Sequence, residues 1–168
     1  MKHWGFVVAL LVLPCGLWAQ KARAELKNAK GEVVGAAIFT PADHGVRMSL
    51  NVRNLPPGEH GIHIHEAGKC EAPDFKTAGG HFNPAGKKHG QLNPEGQHAG
   101  DLDNLLVRPD GTARVRILLH AVTLGQEDNS LLRPRGAALV IHADKDDLKS
   151  DPTGNSGARI VCGVIVGP

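Results

Sequence analysis

Apolar and polar residues alternate strictly over Val46-Arg-Met48-Ser-Leu50-Asn-Val52, apolar on even numbers and polar on odd. A period of two is the signature of a strand with one buried face. The stretches Val33 to Thr40, Gly61 to His65, Arg114 to Leu119, Ala137 to His142 and Arg159 to Val166 are also short, apolar and β-compatible. Turn formers stand between them: Asn28-Ala-Lys-Gly31, Pro41-Ala-Asp-His-Gly45, Leu55-Pro-Pro-Gly58 and Pro109-Asp-Gly111. This pattern predicts about eight short strands and no amphipathic helix, an all-β domain. Glu66 to Asp103 and Ala143 to Ala158 do not fit a simple meander. They are polar and turn-rich, and a structureless segment that long in a compact domain calls for something to organise it.

The first residues read differently. A basic start, Met1-Lys2-His3, precedes the almost wholly apolar run Trp4 to Ala19. That run is short for a membrane span, which needs about 20 residues. Small residues suited to cleavage follow, with processing after Ala19 or after Ala24. Residues 1–24 therefore read as a secretory signal and 25–168 as the domain, with an uncleaved anchor as the alternative. Pro14 before Cys15 argues against a lipoprotein signal. Removal takes away Trp4, Trp18 and Cys15, leaving Cys70 and Cys162. Two cysteines in an exported chain read as one disulfide, because that compartment is oxidising. The expected location is exported, periplasmic or extracellular, with no membrane anchor after processing.

The chain has 168 residues, 41% hydrophobic and 21% charged, enough apolar content for a core. Its 21 glycines and 11 prolines, against 4% aromatics and no Tyr, favour turns and strands over a helical bundle. The formal charge of +2 gives no case for nucleic acid as the partner. Histidine is the outlier, with ten residues. In His63-Ile-His65 the two imidazoles share one strand face, with Ile62 and Ile64 facing the core. They form a two-pronged metal clamp that the long loops can cover, and His142 can join it from a neighbouring strand. His81, His89, His98 and Asp101 supply three imidazoles and a carboxylate, a closed set suited to zinc. Gly79-Gly80, Gly90 and Gly100 give that loop its hinges. His44, His60 and His120 read as ordinary hydrogen-bonding or solvated side chains, with His60 bonding backbone near the Pro56-Pro57-Gly58 turn.

Together, Gly-Ile-His63-Ile-His65-Glu, Gly-Gly-His81-Phe-Asn-Pro, Lys-Lys-His89-Gly, His98-Ala-Gly-Asp101-Leu and Gly154-Asn-Ser-Gly-Ala-Arg159-Ile-Val-Cys162-Gly resemble the Cu/Zn superoxide dismutases. The likeness runs from about Glu25 to the C-terminus, and Cys70-Glu-Ala-Pro-Asp-Phe-Lys looks like the exported bacterial type. The resemblance implies an eight-stranded Greek-key β-barrel or immunoglobulin-like sandwich with two long functional loops. It implies one copper on His63, His65, His81 and His142, and one zinc on His81, His89, His98 and Asp101, with His81 shared. It further implies a Cys70–Cys162 disulfide, Arg159 as the guide for the anion, and Asp146 as the carboxylate linking a copper histidine to a zinc histidine. The implied activity is antioxidant: superoxide becomes dioxygen and hydrogen peroxide by one-electron cycling of the copper, with Arg159 and His81 as the catalytic side chains.

Imidazole suits copper in both oxidation states, and a guanidinium attracts a small anion without ever deprotonating. A non-enzymatic copper or zinc store on the same scaffold is the competing reading. It would tolerate loss of a copper ligand or of Arg159, and all are present. Lys69 and Pro152 depart from the family pattern. Lys145 and Lys149 are candidate sources of steering charge or plain surface residues. A homodimer is left open.

Overall fold

A computed structural model describes residues 20–168. The expected signal segment lies almost wholly outside the described residues. Nine strands follow in order: β1 (Ala22–Asn28), β2 (Val33–Ala42), β3 (Gly45–Val52), β4 (Gly58–His60), β5 (Ile62–His65), β6 (Leu105–Val107), β7 (Ala113–Leu119), β8 (Ala137–His142) and β9 (Arg159–Ile165). A single 3-10 turn, Lys76–Ala78, is the only helical element among the described residues. β4 and β5 are separated by Gly61 alone, so the count of eight holds when they are taken as one interrupted strand. β6 carries the short run Leu105–Val107 that periodicity alone did not mark.

All strand pairing is antiparallel, in the order β5-β8-β9-β1-β2-β3-β7, with β4 paired to β6. Because β4 continues into β5, the full path ends at β6 and β7, which are joined by the tight Arg108–Thr112 turn. The sheet thus curls toward closure and leaves little free edge. The connections 53–57 and 120–136 cross between distant strands, as a Greek key requires.

The alternation in β3 is what the sequence predicts: Val46, Met48, Leu50 and Val52 are all buried. They meet Leu26, Phe39, Ile62, Ile64, Leu139 and Ile141 in one core. β8 is buried at every residue. Ala137, Leu139 and Ile141 face the core, while Ala138 and Val140 face a second cluster with Phe75, Ala78 and Cys162. The loop after β5 supplies that second layer, which explains an unbroken apolar run in place of alternation. The Cys70–Cys162 disulfide ties this loop to β9 across 92 residues.

Candidate metal centre

β5 and β8 pair with His63 opposite Val140 and His65 opposite Ala138. Ile62 and Ile64 point into the core, so His63 and His65 stand on the outer face, the face to which Val140 also belongs. His142 closes β8 beside them. A bulge between Ile141 and His142 turns the strand end toward the loops. His81 arrives from the first long loop and bridges His65 through backbone pairing. All four imidazoles are buried, because the loops cover them.

Each ring has one nitrogen taken by the protein. His63 Nε2 lies 2.5 Å from Asp146 Oδ2. His65 Nδ1 lies 3.0 Å from the Gly79 carbonyl, and His142 Nδ1 3.2 Å from the Gly157 carbonyl. His81 Nδ1 lies 2.9 Å from Asp101 Oδ1. By elimination, His63 Nδ1, His65 Nε2, His81 Nε2 and His142 Nε2 are left to face one another. The four residues offer ligand atoms that all fall within 4.8 Å of one another, and His65 Nε2 and His142 Nε2 stand 3.4 Å apart. His63 Nδ1 and His81 Nε2 are buried without any partner, a costly state for a polar atom unless it serves a ligand.

On the other side of His81, three Nδ1 atoms gather around Asp101 Oδ1: His81 at 2.9 Å, His89 at 3.1 Å and His98 at 3.2 Å. His98 Nδ1 and His81 Nδ1 are 3.4 Å apart. A tetrahedral ion with bonds of about 2.0–2.1 Å spaces its donors by roughly 3.3 Å. The four spacings above, 2.9 to 3.4 Å, lie close to that value. His63 also comes within 4.8 Å of the His81, His89 and Asp101 ligand atoms. Its Nε2 is engaged by Asp146, while His98 Nδ1 lies 3.2 Å from Asp101 Oδ1. Asp101 Oδ2 accepts the backbone N–H groups of Gly90 and His98, which fixes the carboxylate.

Asp146 is buried and joins the two groups. Its Oδ2 meets His63 Nε2, its Oδ1 meets His89 Nε2 at 3.0 Å, and Oδ1 accepts Leu148 N–H. Asn104 clamps its backbone from both sides: Asn104 Nδ2 donates to the Asp146 carbonyl at 2.9 Å, and Asp146 N–H donates to Asn104 Oδ1 at 2.8 Å. Gly154, at φ +62°, passes so close that a Cβ there would collide with Asp146 Oδ1.

The charge balance follows from these contacts. Burial pushes His142 down to about 3 and His81 down to about 4, and it holds His65 well below its usual value, helped by the neighbouring His81. These rings are neutral at physiological pH, the form that binds metal. Burial opposes charge on His89 too, but Asp101 and Asp146 outweigh it and raise His89 to about 9. Burial likewise works against Asp101 and Asp146, yet their imidazole partners hold both far below the usual carboxylate range.

Arg159 opens β9. Its Nη1 donates to the Phe75 carbonyl and its Nη2 to the Gly79 carbonyl, each at 2.7 Å. The Gly79 carbonyl therefore serves both His65 and Arg159. His60 lies off the cluster as expected, bonding the Pro56 carbonyl and the His142 carbonyl at 2.8 Å each, while His44 and His120 are exposed. Lys145 is paired with Glu59 at 2.6 Å. The residues that sequence reading missed are Asn104, Glu66 and the accepting carbonyls of the loop. They act through backbone contacts between distant segments, for which residue type gives no signal.

Residues 33–165 match the family described as copper/zinc superoxide dismutase (SODC). The chain is 52% identical over 168 residues to superoxide dismutase [Cu-Zn] 2 of Aquifex aeolicus, covering 98% of each. Among solved structures it is similar to a SOD-like protein from Bacillus subtilis, with a TM-score of 0.84, 41% identity, and 86% and 97% of the two chains covered. The Cu/Zn superoxide dismutase of Brucella abortus gives a TM-score of 0.70 at 28% identity, covering 86% and 98%. The histidine cluster, the disulfide and the curled antiparallel sheet agree with these likenesses, and the chain belongs to the Cu/Zn superoxide dismutases, oxidoreductases that act on superoxide.

Proposed function

We propose that this chain holds one copper on His63 Nδ1, His65 Nε2, His81 Nε2 and His142 Nε2, and one zinc on His81 Nδ1, His89 Nδ1, His98 Nδ1 and Asp101 Oδ1. The single observation that carries this reading is the pair of buried, partnerless nitrogens, His63 Nδ1 and His81 Nε2, turned toward the free nitrogens of His65 and His142. An all-imidazole set suits copper, and a set of three imidazoles and a carboxylate suits zinc.

Bound copper supplies the one-electron exchange by which two superoxide anions and two protons become dioxygen and hydrogen peroxide. The protein's own part is to bring in the anion and manage the protons. Arg159 carries five N–H donors, and two hydrogen bonds to carbonyls fix its plane. The remaining donors and the permanent charge attract and orient a small anion. His81 Nε2, buried with no partner, would be able to hold a proton only while it does not hold the copper. Asp146 holds His63 and His89 in fixed orientation by engaging their outer nitrogens.

The same reading places the protein outside the cytoplasm, in the periplasm or beyond the cell, where the disulfide persists. No helix among the described residues is long and apolar enough to cross a membrane. Processing after Ala19 suits this fold better than processing after Ala24. Ala22 and Ala24 are buried in β1, and Arg23 exchanges two backbone hydrogen bonds with Val166. Light scattering distinguishes a monomer from a homodimer, which the sequence leaves open.

The test is a dismutase assay on protein reconstituted with copper and zinc, with and without a copper chelator. Activity that the chelator removes, and that His142→Ala lacks while still binding zinc, supports the reading. Activity that survives His142→Ala would overturn the copper assignment, and a metal-binding protein without dismutation would make it a store.

A further inference from the structure

The long connection 120–136 has no assigned part in the chemistry, yet it sends one side chain to the copper side of the site. Arg133 Nη2 donates to the Glu66 carbonyl at 2.9 Å. The same guanidinium lies over the Phe82 ring, 4.5 Å from its centroid. Glu66 directly follows His65, and Phe82 directly follows His81. One planar group therefore touches the residues behind two of the four imidazoles.

Glu66 passes this constraint on. Its N–H donates to the Gly80 carbonyl at 2.9 Å, and its Oε1 accepts Gly80 N–H at 3.4 Å. The adjoining Gly79 carbonyl holds both His65 Nδ1 and Arg159 Nη2. Arg135 also reaches Glu66 Oε1 at 3.4 Å, but it is 64% exposed, and such a pair contributes little. Arg133 is the inner member: its Nε is buried with no partner, and Phe82 beneath it is fully buried. A donor left unsatisfied there is a cost that stacking and the Glu66 bond must offset.

We infer that Arg133 is a positioning residue for the copper half of the site, setting the spacing of His65 and His81 through Glu66 and Phe82. Its planar guanidinium stacks and donates at once, which a lysine ammonium cannot do. The inference rests on the copper assignment above.

Three variants test it: Arg133→Lys, Arg133→Gln and, as control, Arg135→Ala. The readouts are histidine-ring NMR of the metal-free protein, the Cu(II) EPR spectrum and copper affinity. Arg133→Lys should fold as the parent does, shift the His65 and His81 ring signals, alter the EPR hyperfine pattern and weaken copper binding about tenfold, as outer partners of metal ligands do. Arg133→Gln retains a planar N–H donor for Glu66 and should fall between Lys and the parent. Arg135→Ala should leave all three readouts unchanged. Unchanged ring signals and EPR in both Arg133 variants would overturn the inference while leaving the copper reading intact. A parent protein that binds no copper would instead remove the copper reading itself.

Discussion

Breaking the Cys70–Cys162 bond by the double change Cys70→Ala, Cys162→Ala separates two contributions that the structure joins. The first is global. The bond closes 92 residues, and the loop-entropy relation gives about 4–5 kcal/mol for a ring of that size. In a chain of this length each kcal/mol moves the melting temperature by about 2–4 °C. The metal-free variant should therefore melt roughly 8–20 °C lower than the metal-free parent. The second contribution is local. The bond anchors the loop whose Phe75 and Gly79 carbonyls hold Arg159. Phe75 and Ala78 remain packed against Ala138 and Val140 without it. The loop should stay docked, so turnover in the metal-loaded variant should fall only a few-fold, with Arg159 less well held. Calorimetry on metal-free protein and a dismutase assay on loaded protein read the two effects separately. A melting change under about 3 °C would refute the entropic argument. Unchanged turnover at every ionic strength would refute the link from disulfide to Arg159.

The remaining predictions concern charge and the outer carboxylate. Metal-free protein should be most stable near pH 6.5. Below that, unfolded histidines take up protons that buried His65, His81 and His142 refuse, so stability falls toward pH 3–4. Above it, the stability from His89 is lost as pH rises to about 9; urea midpoints still climbing between pH 7 and 9 would contradict this. Asp146→Ala frees the outer nitrogens of both His63 and His89. Isothermal titration should show zinc affinity reduced about 10- to 100-fold, and equal affinity would remove Asp146 from the site. Arg159→Glu should slow turnover and reverse its dependence on salt, since repulsion replaces attraction; an unaltered salt profile would exclude Arg159 from guiding the anion.

Much of this was readable from residue order. The strict alternation in β3 and the paired faces of His63-Ile-His65 follow from a period of two, and both hold in the structure. His63, His65, His81 and His142 lie together because β5 and β8 are neighbours and the glycine-hinged loop brings His81 to them. What composition could not reveal was contact made through backbone. Asn104 grips the Asp146 peptide, Arg133 grips the Glu66 carbonyl, and Gly79 serves two side chains with one oxygen. β6 escaped notice because three residues are too few to show a period. β8 shows no alternation because a loop distant in sequence covers its outer face.

Anomalous scattering at the copper and zinc edges, from crystals of the reconstituted protein, tests the central claim most directly. The account predicts one copper peak enclosed by His63 Nδ1, His65 Nε2, His81 Nε2 and His142 Nε2. It predicts one zinc peak enclosed by His81 Nδ1, His89 Nδ1, His98 Nδ1 and Asp101 Oδ1. Copper found away from those four nitrogens, or the two peaks not sharing His81, would contradict it.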